Sequence, residues 1–123
     1  MQKVFLSIAS VLGALSVGIG AFGAHGLKKV LEANGRMETF ETAVKYQFYH
    51  TLAIFILGLL FSQISNKSLE WAGWSFLAGI FVFSGSLYIL SLTGITKWGA
   101  VTPIGGLFFI IGWVLLLIGV LKS

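Results

Sequence analysis

Four long stretches of the chain are apolar almost without interruption, at about residues 4–24, 46–64, 71–92 and 99–121, and every charged residue lies outside them. Each has close to the ~20 residues that a helix needs to cross the hydrocarbon core of a bilayer. A charge at the centre of that core costs ~2.5–3.5 kcal/mol or more, so charge-free runs of this length predict membrane-spanning helices. A transmembrane barrel would need short strands of alternating hydrophobicity. These runs, rich in Leu, Ile, Phe and Gly, do not alternate. The predicted fold is therefore all-α: an integral membrane four-helix bundle, up-down-up-down, in a single domain covering residues 1–123. Lys3, the apolar run after it and the small residues AFGA (21–24) have the outline of a secretory signal. The run is too long for one, and four retained spans are expected.

The polar intervals predict how the spans are joined. The only long loop runs from Gly26 to Lys45. In it Leu27, Val30 and Leu31 fall on one helical face beside Lys28, Lys29 and Glu32, and Asn34-Gly35 is a natural stop. This predicts a short amphipathic helix on the membrane surface. Met37, Phe40, Val44 and Phe48 then form a stripe at spacings of three and four, so the second span should start outside the membrane as an amphipathic helix, with Glu41 and Lys45 as an i,i+4 ion pair. The intervals at 65–70 and 93–98 are short and make the later spans antiparallel neighbours. No internal repeat relates the two halves, which argues against an inverted-repeat transporter. Loops one and three hold more Lys and Arg than the opposite side, which by the positive-inside rule places them in the cytoplasm.

Small residues recur every seven positions: Gly105, Gly112 and Gly119 on the fourth span, Ala72, Gly79, Ser86 and Thr93 on the third, Ser7, Ala14 and Ala21 on the first. Such a repeat suits close left-handed packing of membrane helices. Packing within one chain is preferred here over a dedicated oligomer seam.

Composition agrees with the pattern. The 123 residues are 57% hydrophobic and 10% charged, against about 25% charged in a soluble domain. With no cysteine, disulfides, thiolate chemistry and Cys-ligated metal sites are excluded. The net charge of +4 sits beside the membrane, where it suits anionic headgroups better than nucleic acid; no nucleic-acid role is expected.

Polar residues inside or at the ends of the spans collect on the long-loop side. Antiparallel threading brings His25, at the end of the first span, to the face where the second begins with Tyr46, Gln47, His50 and Thr51. Tyr88 on the third span and Thr102 and Pro103 on the fourth arrive at the same face. Gln47, His50 and Thr51 share one helical face and Tyr46 lies one turn above His50. These groups could satisfy helix-end carbonyls and one another in an interfacial layer. Alternatively the two histidines, which change charge near neutral pH, line a site for a small solute or proton. Two histidines without a carboxylate make an incomplete metal site, so no metal or other cofactor is expected. Thr102 followed by Pro103 has the form of a helix N-cap. Trp71 and Trp74 are expected as interface anchors on the opposite side, and Trp113, near mid-membrane, needs a partner for its indole N–H. The carboxylates all lie in loops, so no Ser-His-acid arrangement is available and no enzyme is expected.

The segments GAFGAHGL (20–27), YQFYHTLA (46–53), FSGSLYIL (83–90) and TPIGG (102–106), in this order, resemble the small four-span bacterial inner-membrane proteins of the YgdD/YwdK type, a domain-of-unknown-function family. The resemblance covers nearly the whole chain. It implies a multi-pass cell-membrane protein with His25, Tyr46, Gln47, His50, Ser84, Tyr88, Thr102 and Pro103 at the motif positions, and it implies no activity. The expected role is structural or interactive, through helix packing in the lipid bilayer, as a homo-oligomer or as a partner in a larger membrane complex. The alternative is a minimal transporter or channel for a small neutral or weakly charged solute, with a histidine-containing polar site on the long-loop side.

Overall fold

The computed structural model describes all of residues 1–123 and contains only helices and their connections. The first span is α1 (Gln2–His25), and the surface helix is α2 (Lys28–Ala33). The second span, α3 (Met37–Leu60), starts nine residues before Tyr46, as its amphipathic first turns require, and ends short of the predicted Ile64 in a set of turns. The third is one continuous rod of α4 (Lys67–Gly79), a π-helical turn (Ile80–Ser84) and α5 (Gly85–Thr93). A 3-10 turn (Thr96–Ala100) leads into the fourth, α6 (Thr102–Leu121). All four are long and apolar enough to cross a membrane, and together they form the expected bundle.

Local chemistry fixes the ends. Gly35 (φ +64°) and Gly94 (φ +71°) adopt the left-handed conformation that stops α2 and α5, a conformation in which other residues are strained. Asn66 caps α4: its side chain accepts from Leu69 N–H at 3.1 Å while its amide donates to Gly119 O at 3.0 Å, so one residue both starts the third span and ties down the end of the fourth. Asn34, at the C-terminal end of α2, ties the surface helix to the end of the third span by donating to Ser91 O at 3.0 Å. The expected Glu41–Lys45 pair is not formed. The ion pair present is Lys67–Glu70 at 3.1 Å. Exposed i,i+3 and i,i+4 pairs each gain only about 0.2–0.5 kcal/mol, so the exchange of one for the other has little bearing on the fold.

The bundle is assembled from two helix pairs, α1 with α3 and the α4–α5 rod with α6, joined through α3 and the rod. In the second pair the seven-residue glycine stripe of α6 meets a seven-residue stripe of large side chains: a Cβ at Gly119, Gly112 or Gly105 would run into Leu69, Phe76 or Phe83 respectively. Small against large at the same period draws the two backbones together, and dispersion between them holds the pair. The closest approach is at Gly105, where an added Cβ would fall 2.3 Å from the backbone nitrogen of Phe83. Phe83 lies in the π turn, whose extra residue widens the helix towards α6; only a residue without a side chain fits opposite it. The main core is Phe5, Leu12, Ile54, Leu57, Leu69, Phe76, Ile80 and Phe109 with three alanines.

A divided polar network in the bundle

The polar residues expected to meet in one cluster are placed in separate bonded sets. The first links α1, α3 and α5. Gln47 is buried, donates to Leu12 O at 3.2 Å and accepts on Oε1 from Tyr88 Oη at 2.5 Å. Thr51, one turn on, returns its hydroxyl to Gln47 O at 2.6 Å. A side-chain amide has two donors and two acceptor lone pairs, so one glutamine can bridge a helix backbone and a phenol.

The second set joins α3 to α6. His50 Nδ1 lies 2.9 Å from Tyr46 O, and Trp113 Nε1 lies 3.1 Å from His50 Nε2. The carbonyl can only accept and the indole N–H can only donate. The imidazole must therefore carry its hydrogen on Nδ1 and present a bare Nε2: this geometry selects the neutral ring in a single tautomer. The ring also stacks on Phe109, with centroids 3.6 Å apart and planes 7° apart, and Phe76 and Trp113 pack around it. The partner that the Trp113 indole needs is His50. Tyr46 joins this set through its carbonyl and ring, which packs on Phe83 with centroids 4.7 Å apart, rather than through its hydroxyl.

The third set joins the rod to its neighbours. Ser84, fully buried in the π turn, donates to Ala43 O on α3 at 2.7 Å. Ser86 Oγ and Thr102 Oγ1 are 2.6 Å apart, linking α5 to α6, and Ser86 Oγ is also 2.9 Å from Phe83 O. Thr102 is thus not the N-cap. Val101 holds that position without a side-chain bond, Thr102 and Pro103 open the helix, and the Thr102 hydroxyl is drawn sideways to Ser86.

His25 is outside all three sets. It sits exposed at the end of α1, and no side-chain hydrogen bond involves it. The expectation that His25 and His50 line one site does not hold, and the reason is helix register. Gly23 packs under the Phe40 ring, so the end of α1 is level with the first turns of α3, and His50, ten residues beyond Phe40, is about 15 Å deeper. Sharing a membrane face as a starting point did not mean sharing a depth. Ser91 and Asn66 were not singled out from the sequence, and Ser86 and Asn34 were read only as a small packing residue and as part of a helix stop, not as makers of interhelical bonds; Asn66, just before an apolar helix, carries the ordinary N-cap signal.

No buried side-chain nitrogen or oxygen lacks a partner, and no group of three or more His, Cys, Asp or Glu side chains comes together. No solved structure matches the chain. The model of a protein family of unknown function, DUF423, matches residues 19–106. Among similar proteins are a UPF0382 membrane protein of Staphylococcus haemolyticus, 48% identical over 121 residues covering 98% of each chain, one of Staphylococcus epidermidis, 47% identical over 98% of each, and the UPF0382 membrane protein YwdK of Bacillus subtilis, 43% identical over 98% of each. With four spanning helices and relatives named as membrane proteins along their whole length, the chain is a multi-pass protein of the cell membrane and belongs to the DUF423 family of unknown function.

Proposed function

We propose that this protein is non-enzymatic and acts through helix packing, as a homo-oligomer or as a small partner in a larger membrane complex, with its intramembrane polar groups serving as latches between its own helices. The observation that carries this reading is that the polar side chains are bonded to one another or to neighbouring backbone: Gln47 to Tyr88, His50 to Trp113, Ser86 to Thr102, Ser84 to Ala43 O. A solute path would need unpaired polar groups facing a wet passage. At His50 the space is taken by Phe109 stacked on the ring. Support for a partner comes from α1, whose Ser7, Ala14 and Ala21 face outward, with Gly18 open to its surroundings. Small outward residues let a second membrane helix approach closely.

The test is reconstitution in nanodiscs and proteoliposomes. Native mass spectrometry and chemical crosslinking are expected to find the chain associated, with itself or with a copurifying membrane protein. Solute-specific flux through monomers, lost on replacing His50 by glutamine while the fold is kept, would instead establish the transport reading.

A further inference from the structure

The outward stripe of α1 has a counterpart on α3. Phe48, Leu52, Phe55 and Leu59 are large, apolar and between 40% and 49% exposed, and they follow Lys45 at alternating spacings of three and four. On α1, Ser7, Ser10, Ala14, Val17 and Ala21 keep the same alternation and are exposed as well. Both have the pattern of helices that pack with a left-handed crossing.

The two stripes open to the same side. α1 and α3 meet through Leu6 with Gly58, Gly13 with Thr51 and Gly20 with Val44. Ser7, Ala14 and Ala21 each stand one residue beyond a contact position of α1, and Lys45, Leu52 and Leu59 one beyond a contact position of α3. One residue is about 100° around a helix. Because the helices are antiparallel, these turns carry both stripes to one side of the pair. A groove of about 230 Å³ opens on that side, with Ala24 on its α1 wall and Glu41 and Lys45 on its α3 wall.

The same contacts fix depth. Counting from Gly13 and Thr51, Phe48 is level with Ser16, Leu52 with Leu12 and Phe55 with Ala9. Each large side chain of α3 therefore stands at the height of a gap in the α1 stripe: Phe48 between Ala14 and Val17, Leu52 between Ser10 and Ala14, Phe55 between Ser7 and Ser10. Within one chain the stripes lie side by side and cannot engage. The bilayer holds two copies inserted the same way round at one depth, and a two-fold axis along its normal sets α1 of each against α3 of the other, antiparallel and in this register. Small against large at one period is also what closes α6 on the rod.

We propose that this two-helix face is a homodimer interface, in which Phe48, Leu52 and Phe55 of each copy fill the gaps in the α1 stripe of the other. The interface rests on the packing role proposed above and supplies its partner, a second copy of the chain. Charge is matched as well. Glu41 and Lys45 form no ion pair within the chain, where Lys67–Glu70 is the one present; a two-fold contact is reciprocal, so the acid of each copy meets the base of the other over the groove. At the far end Lys3 comes level with Phe61, the C-cap of the facing α3, where the partial negative charge of a helix end favours a cation.

The chain has no cysteine, so introduced thiols are unique. Two differently tagged populations, one with Ala14→Cys and one with Leu52→Cys, are reconstituted together in vesicles of phosphatidylethanolamine and phosphatidylglycerol and oxidised with copper phenanthroline. The mixed-tag disulfide should form about tenfold faster than between Leu52→Cys and Ile110→Cys, a pair that includes the lipid-facing side of α6, because only the first two thiols share a contact. Ser10→Cys with Phe55→Cys should behave alike and takes over if the first pair lowers the thermal midpoint. Glu41→Lys should weaken association about fivefold, and adding Lys45→Glu should restore it. A double charge variant that stays weak would overturn the pairing of Glu41 with Lys45. Ala14→Cys copies that join each other faster than they join Leu52→Cys would overturn this face while leaving a homo-oligomer built another way. Copies that stay apart but copurify with a different membrane protein would overturn the dimer and keep the packing role, and copies that associate with nothing would overturn both.

Discussion

α6 and α1 carry the same kind of signal, small residues every seven positions, and the bundle treats them in opposite ways. On α6, Gly105, Gly112 and Gly119 are buried under Phe83, Phe76 and Leu69. On α1, Ser7, Ala14 and Ala21 face outward, and α1 packs on α3 through other positions, with Gly23 under Phe40 and Leu6 against Gly58. The difference lies in the partner. The rod offers large side chains at the matching period, so glycine holes receive knobs along the whole length of the contact. α3 offers no such stripe to the 7-14-21 face of α1. A small-residue repeat therefore marks where a helix can be approached closely, and a complementary repeat of large residues decides whether the same chain does the approaching.

The sharpest way to break this comparison is at Gly105. An alanine there would place its Cβ against the Phe83 backbone, which cannot rotate away, so the loss of stability should reach about 3 kcal/mol, the upper part of the usual overpacking range; unfolding in mixed micelles measures it. Gly112→Ala meets a phenylalanine ring that can shift and should cost less, about 1–2 kcal/mol. If the two variants were equally stable, backbone proximity at the π turn would not be what closes this pair.

The link between the pairs is tested at His50 and Trp113. A double-mutant cycle of His50→Ala and Trp113→Phe should return a coupling of about 0.6–1.7 kcal/mol, the range of interhelical hydrogen bonds in membranes. Zero coupling would mean that the bond does not fasten α6 to α3. Tyr88→Phe removes the donor to Gln47 Oε1 and is expected to cost about 1 kcal/mol in the same assay. The smallest effects belong to α1. Ala14→Val and His25→Gln touch exposed positions and should change the stability of the chain by no more than about 0.5 kcal/mol. Ala14→Val should nevertheless weaken association in nanodiscs, read by energy transfer between labelled copies, if partners dock on this face. His25→Gln should not.

Much of this arrangement is legible in the residue order. Charge-free runs located the spans, Asn34-Gly35 located the end of the surface helix, and the stripe from Met37 to Phe48 announced that α3 begins before the membrane. The site was legible in membership more than in grouping. Gln47, His50, Ser84, Tyr88 and Thr102 do make interhelical bonds, yet in three sets rather than one, and His25 in none. Depth along a helix depends on where its neighbour touches it, and contacts such as Gly23 with Phe40 are not written in either helix alone. The His50–Trp113 bond also joins residues 63 positions apart, a separation no local spacing rule covers.

Sequence alone determined that this chain crosses the bilayer four times as helices, because hydrocarbon rejects charges and unpaired backbone groups whatever the neighbouring residues are. It also determined where close approach is sterically open, because glycine lacks a side chain in any context. Only the tertiary structure decided which of those openings are filled from within, which polar groups meet, and that a groove remains beside α1. Those outcomes depend on the register and separation of whole helices, set by the sum of many weak dispersion contacts along their length rather than by any one residue.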